Sequence, residues 1–212
     1  TRGEWEDTIF VVTGDHGENI GDHGLMDHQY SLHDTLIHVP LVIHGGAFTG
    51  GETVDELVQL TDLAPTILEA VEIDAPEFRE QAQGRSFHPN SNTSPREFAF
   101  AEYMAPQPSM DALEKRVGDL PDDVYEYDRS LRTIRGKEWK LIRGSDGTTE
   151  LYHLSNDPHE TTDLASDRPE KVNELENELD TWLDSFEHAD PSSTVEMSDD
   201  TKDRLVDLGY LQ

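Results

Sequence analysis

Apolar positions along the chain follow two spacings, and the alternation between them lays out the elements. Ile9-Phe10-Val11-Val12 is a short, continuous run rich in β-branched residues, and Gly14-Asp15-His16-Gly17 follows at once. This predicts a strand over residues 8–13 that ends in a glycine-flanked loop, where α/β sheets present ligand-binding residues. Val39–His44 is a second such run, closed by Gly45-Gly46, and reads as another buried strand with Pro40 near its start. Between Leu57 and Val71 the spacing changes to three and four, which predicts a helix starting near Asp62 with Pro65 in its first turn. Polar residues 86–93 suggest a lobe boundary, and Phe98–Tyr103 reads as a strand. The acidic stretch from about 105 to 128, interrupted by proline, reads as a long surface loop. Leu131–Arg135 and Trp139–Arg143, separated by Gly136-Lys137-Glu138, predict a hairpin, with a further strand at Glu150–Leu154. Helical spacing returns from Pro169 to Phe186, with Leu175, Leu179 and Trp182 on one stripe and acids opposite.

Composition narrows what such a chain does. Forty-six acidic residues against sixteen basic ones give a net charge of −30, dispersed along the sequence. Nucleic acid is excluded as a partner on this ground, because phosphate binding needs a basic face. The basic residues are five Lys and eleven Arg. Dispersed carboxylates with few lysines suit molar salt, where the Debye length falls to about 3 Å and self-repulsion is screened. The expected setting is therefore the cytoplasm of a salt-accumulating organism, with export left open. No window has the eighteen or so apolar residues of a membrane helix. The opening Thr1-Arg2-Gly3, leading directly into a strand, reads as the middle of a longer protein. There is no cysteine, hence no disulfide, no thiolate metal site and no cysteine nucleophile.

Chemistry concentrates in one segment. Six of the ten histidines (16, 23, 28, 33, 38 and 44) lie between residues 16 and 44, interleaved with Asp15, Glu18, Asp22, Asp27 and Asp34. Asp15 offers a hard carboxylate oxygen and His16 an imidazole nitrogen, and flanking glycines let adjacent side chains face one ion. Two ligands do not complete a site. Spacing alone leaves metal ligation and a polar turn of solvated histidines both open.

The ordered motifs add to this. Thr13-Gly14-Asp15-His16-Gly17-Glu18 through Gly21-Asp22-His23-Gly24-Leu25, followed by His38-Val39-Pro40-Leu41, resembles sulfatases and phosphonate monoester hydrolases of the alkaline phosphatase superfamily. Thr61–Leu68, Gly84-Arg85-Ser86, Leu151–Leu154 with Asn156–Glu160, and Leu208–Leu211 continue the resemblance in order over nearly the whole chain. The fold it implies is α/β: the C-terminal part of an alkaline-phosphatase-like α/β sandwich core (residues 1–90), a small antiparallel-sheet lobe with a packed helix (91–190), and an acidic tail with a docking segment (191–212).

The resemblance also implies a metal-dependent sulfuric ester hydrolase acting on a small sulfated substrate. Asp15 and His16 would be ligands of a divalent ion, Ca²⁺ first, with Mg²⁺ or Mn²⁺ as the other candidates. The nucleophile would be a formylglycine from a Cys/Ser-x-Pro-x-Arg motif. That motif is missing here: Thr93-Ser94-Pro95-Arg96 has the wrong spacing. About a dozen residues after the metal pair the family carries a lysine that contacts sulfate, and here Asp27-His28-Gln29 stands in its place. His28 is the candidate catalytic residue, an imidazole that would act pH-dependently where lysine would not. His23 reads as structural or as orienting its neighbours, and His33 and His38 as surface or strand-edge histidines. Two other readings stay open: a phosphonate or phosphate ester hydrolase, and a non-catalytic relic on the same fold.

Overall fold

The structure is a computed structural model that describes residues 7–186 and Arg204. Compactness divides the chain into Thr1–Leu179 and Asp180–Gln212. The first unit holds three antiparallel sheets. Strand β1 (Phe10–Thr13) pairs with β4 (Leu41–His44), and the short β2 (Asn19–Ile20) with β3 (Met26–Asp27). Helix α1 (Asp34–Ile37) lies between β3 and β4; α2 (Leu63–Ala70) and α3 (Pro76–Gln81) follow. The third sheet has the order β5 (Ala99–Tyr103), β6 (Leu131–Arg135), β7 (Trp139–Gly144), β8 (Thr149–His153), with α4 (Met110–Val117) inserted between its first two strands. Helix α5 (Pro169–Asp184) runs across the boundary of the two units. Of the second unit, residues 180–186 and Arg204 are described, and the Phe186 ring meets Trp182 edge to face at 4.8 Å. The expected docking segment Leu205–Leu211 and nearly all of the 191–212 tail lie outside the described residues.

The four-stranded sheet carries the core because its alternation is apolar on both faces. On one face Leu131, Ile142 and Tyr152 are buried together with Leu32 and Leu154, and Ile37, Ala101 and Tyr103 pack around them. Leu32 and Ile37 come from the histidine-rich segment, so this face fixes that segment to the sheet. On the other face Ile134, Leu141 and Leu151 have no exposed surface. Lys171 over the Trp139 ring at 6.0 Å, and Thr149 Oγ1 donating to Glu176 at 3.4 Å, set α5 on that side, where Leu175 and Leu179 are buried. A small antiparallel sheet with a packed helix is therefore present as expected.

Two expectations need correction. Residues 105–128 are not a plain loop: α4 forms because Ser109 caps it, its hydroxyl accepting from Ala112 N–H, and because Met110 is buried. A 3-10 turn over Asp122–Tyr127 follows. The apolar runs of β1 and β4 form strands, but not buried ones. Among the described residues they pair only with each other, and Phe10, Val12 and Val42 are about half exposed.

The motif Thr61–Leu68 is a structural knot. Asp62 is buried, and its carboxylate accepts from the backbone N–H of Gln59 and of Arg85, each at 2.8 Å, and from the Arg96 guanidinium. Gly84 passes so close that a Cβ there would sit 1.9 Å from the Thr61 carbonyl oxygen. Two motifs distant in sequence are thus halves of one buried hydrogen-bonded cluster. Pro65 falls in the first turn of α2, where its missing N–H costs nothing.

Candidate metal centre

Asp15 and His16 leave β1 on a turn that the next glycine makes possible. Gly17 N–H donates to the Leu36 carbonyl at 2.8 Å, and a Cβ on Gly17 would lie 1.9 Å from the Thr35 carbonyl oxygen. Only a glycine lets the loop press this closely on α1. Asn19, wholly buried, accepts from the Thr35 hydroxyl at 2.6 Å and closes the same seam. The backbone is thereby pinned while the two side chains before it stay in the open: the Asp15 side chain is 91% exposed and that of His16 46%.

The tautomer of His16 follows from its neighbours. Its Nδ1 lies 2.8 Å from the Gly17 carbonyl oxygen, which can only accept, so Nδ1 carries the proton. That leaves the lone pair on Nε2, 3.9 Å from Asp15 Oδ2. The separation is shorter than the sum of two ligand bonds of about 2.3–2.6 Å, so one ion can bind both atoms. His16 N–H donates to the other carboxylate oxygen, Oδ1, at 3.1 Å and sets the carboxylate's orientation. A backbone carbonyl that fixes the ring while the opposite nitrogen stays available is how metal-binding histidines are commonly held. The two residues therefore fit a divalent cation as a partial ligand set.

His28 is brought to this pair. Its ring stacks on His16 with centroids 4.4 Å apart and an interplanar angle of 23°. Its Nδ1 lies 2.5 Å from Asp27 Oδ1 and 3.3 Å from Glu18 Oε2. Two carboxylates on one ring nitrogen orient the imidazole and leave Nε2 for an oxygen of a bound molecule. Glu18, Asp27 and His28 also place ligand atoms within 4.8 Å of one another, all at the surface. The sequence signal for this cluster was the interleaving of acids with histidines. What it did not show was which acids meet His28.

His23 and His33 fall elsewhere. Their rings stack in parallel with centroids at 3.5 Å, against the β6–β8 sheet. His33 is buried, not a surface histidine: its Nδ1 lies 2.6 Å from the Ser31 hydroxyl and its Nε2 3.5 Å from Glu150. Burial, and then the adjacent His33, lower the pKa of His23. The His38 side chain is two-thirds exposed, as expected. Asp34 ties the segment to the sheet: its carboxylate accepts from Arg135 and from Lys140 Nζ, at 2.9 Å for the latter. Burial pushes the Asp34 carboxyl up, but Lys140 and Arg135 together outweigh it and hold it below the usual carboxylate range. Lys140 is fully buried and also lies 2.6 Å from Glu160 Oε1, an ion pair although its angle is poor for a hydrogen bond. Glu160 Oε2 accepts from Asp34 N–H at 2.5 Å. The turn Asp157–Glu160 is structural: Asp157 accepts from the backbone N–H of Thr161 and Thr162.

The family model described as Sulfatase matches residues 1–73. Arylsulfatase K of Xenopus laevis is 29% identical over 186 residues, covering 84% of this chain and 31% of the relative. The chain thus spans about a third of the length of the curated relatives it matches. A solved 2-O GAG sulfatase superposes with a TM-score of 0.69 at 22% identity, over 91% of this chain and 40% of its own. The phosphonate monoester hydrolase of Agrobacterium radiobacter superposes with a TM-score of 0.62 at 24% identity, over 85% and 35%. At these identities the solved structures show a shared fold.

Proposed function

We propose, from the premise that this chain belongs to the sulfatase family of the alkaline phosphatase superfamily, that it is part of an enzyme that hydrolyses sulfate esters with a divalent metal ion. The observation that carries the reading is the state of His16, whose proton is held on Nδ1 by the Gly17 carbonyl while Nε2 stands beside the Asp15 carboxylate. Those two atoms would hold the ion; the family resemblance suggests Ca²⁺ before Mg²⁺ or Mn²⁺, and the absence of cysteine rules out a thiolate site within these residues. When bound, such an ion would neutralise charge on the ester oxygens and favour the deprotonated form of the attacking group. The 212 residues contain no cysteine and no Ser-x-Pro-x-Arg string. The nucleophile, a formylglycine in this reading, is therefore supplied from outside them, and the 212 residues alone are expected to be inactive.

His28 is assigned the contact to the ester oxygen. With Nδ1 held by Asp27 and Glu18, its Nε2 would donate a proton to a sulfate oxygen or to the departing alkoxide. We also infer that the protein works at high salt, since its net charge of −30 is tolerated best where screening is strong. A phosphonate or phosphate ester is the second reading, favoured by the phosphonate hydrolase among its structural neighbours. The test is turnover of p-nitrophenyl sulfate against p-nitrophenyl phenylphosphonate by the full protein that carries this chain. Preference for the sulfate, abolished by EDTA and restored by Ca²⁺, supports the assignment. Preference for the phosphonate would transfer it to the second reading, and activity indifferent to EDTA would remove the metal from it.

A further inference from the structure

A cavity of about 680 Å³ opens between the segment around His23 and His33, the face of β6–β8 and the turn after β8. Its volume lies within the roughly 300–1,000 Å³ of small-molecule sites. None of Asp15, His16 and His28 lines it. Its chemistry differs from theirs.

Three features of the lining select a ligand. First, hydrogen-bonding capacity remains unspent on both the donor and the acceptor side. Arg129 is ion-paired through its terminal nitrogens, yet its Nε is buried with no partner. Asp163 binds the backbone N–H of Leu151 and of Ala165 through Oδ1 alone, and Asp22 binds Ile20 N–H through Oδ2 alone. Both residues are exposed, and the second oxygen of each carboxylate, with no protein donor among the described residues, is open to solvent or to a ligand. A hydroxyl both donates and accepts, so a ligand bearing several hydroxyls meets such a mixed lining. Second, Glu150 is ion-paired with Arg129 and Glu160 with Lys140, while Asp22 and Asp163 have no ion pair among the described residues, and this surplus of negative charge opposes a further anionic group. Third, the wall includes aromatic surface: Tyr30 and Tyr127 meet edge to face at 6.1 Å, and the stacked imidazoles lie nearby. Flat apolar surface beside polar groups suits a ring with apolar C–H faces and hydroxyl edges.

We propose that this cavity binds an uncharged, polyhydroxylated ring, a neutral sugar residue, and discriminates against a sugar carrying a carboxylate or a second sulfate. The ring is either free or the unsulfated part of a larger ester. The second of these sources rests on the hydrolytic reading, and the first does not.

Saturation-transfer NMR on the full protein, with methyl α-glucopyranoside and the sodium salt of methyl α-glucuronide as probes, tests it. Transfer to the neutral glycoside alone is expected. Asp163→Asn keeps the oxygen that binds Leu151 and Ala165 but removes the free acceptor, and it should weaken binding roughly fivefold. Tyr127→Ala should weaken it by removing ring surface, and Asp163→Asn remains as the isosteric check if that variant unfolds. To separate the two sources, the glycoside is compared with its 6-O-sulfate in the full protein with and without Asp15→Ala. Tighter binding of the sulfated form that is lost with Asp15→Ala identifies a subsite of a larger ester, and equal or weaker binding in both proteins a separate sugar site. No transfer to the neutral glycoside, equal transfer to the glucuronide, or binding unchanged by both Asp163→Asn and Tyr127→Ala would each overturn the proposal.

Discussion

The segment from Gly14 to His28 and the sheet β5–β8 are both rich in charge and use it in opposite ways. In the sheet, ionisable groups are committed to holding elements together. Lys140 is fully buried between Asp34 and Glu160, and Arg135 closes the cluster on Asp34. In the segment, Asp15, Glu18, Asp27 and His28 are exposed and touch mainly one another. A buried charge that is fully paired is architecture, whereas an exposed group of ligand atoms on a pinned backbone is capacity for binding. The same side-chain types therefore have different functions according to what surrounds them.

The sharpest way to break this contrast is to remove a charge from the sheet. Lys140→Met leaves the buried Glu160 carboxylate without a cation and Asp34 with Arg135 alone, and urea denaturation should show a loss of about 3–5 kcal/mol. A loss no larger than for a surface mutation would mean that the cluster is not structural. Next comes Gly17→Ala, in the backbone that pins the metal pair: the new Cβ would collide with the Thr35 carbonyl, at an expected cost of about 1–3 kcal/mol. A variant as stable as the parent would show that the turn is looser than described.

Acid should weaken the packing of the histidine-rich segment on the sheet in two steps. His23 has its folded pKa lowered by burial and by His33, so the unfolded chain takes up the proton first. Stability is then complete above about pH 6.5 and declines below it until the folded ring also protonates. Asp34, lowered by Lys140 and Arg135 against its burial, adds stability that is complete above about pH 4 and is lost as the pH falls through its folded value. Urea midpoints across pH 3–8 measure both, and His23→Gln should remove the upper step alone. The smallest effect on stability is expected at His28. His28→Lys should retain much of the activity while flattening its pH profile, and an activity indifferent to His28→Ala would remove His28 from the mechanism.

Much of this contrast was legible in the sequence, but unevenly. The hairpin of β6 and β7, strand β8 and α5 followed from local periodicity and turn residues, because their signals lie within a few residues. Helix α4 was hidden by acids and prolines around it, although Ser109 before Met110 was the cap to look for. Asp15, His16 and His28 stood out as a dense interleaving of ligand types, and the structure does bring His28 onto His16. The partners Glu18 and Asp27, the burial of His33 and the cluster of Asp34 with Lys140 were not legible. They depend on contacts across as many as 126 residues, as between Asp34 and Glu160, which no local pattern encodes.

The central claim is that Asp15 and His16 are ligands and not supports. It is tested most directly by measuring bound metal and thermal unfolding of the full protein before and after Asp15→Ala. The account predicts that the metal and the activity disappear together while the unfolding temperature in the presence of EDTA stays at the parent's value. Unchanged metal content would contradict the ligand assignment, and a large loss of stability in EDTA would show that Asp15 serves the fold.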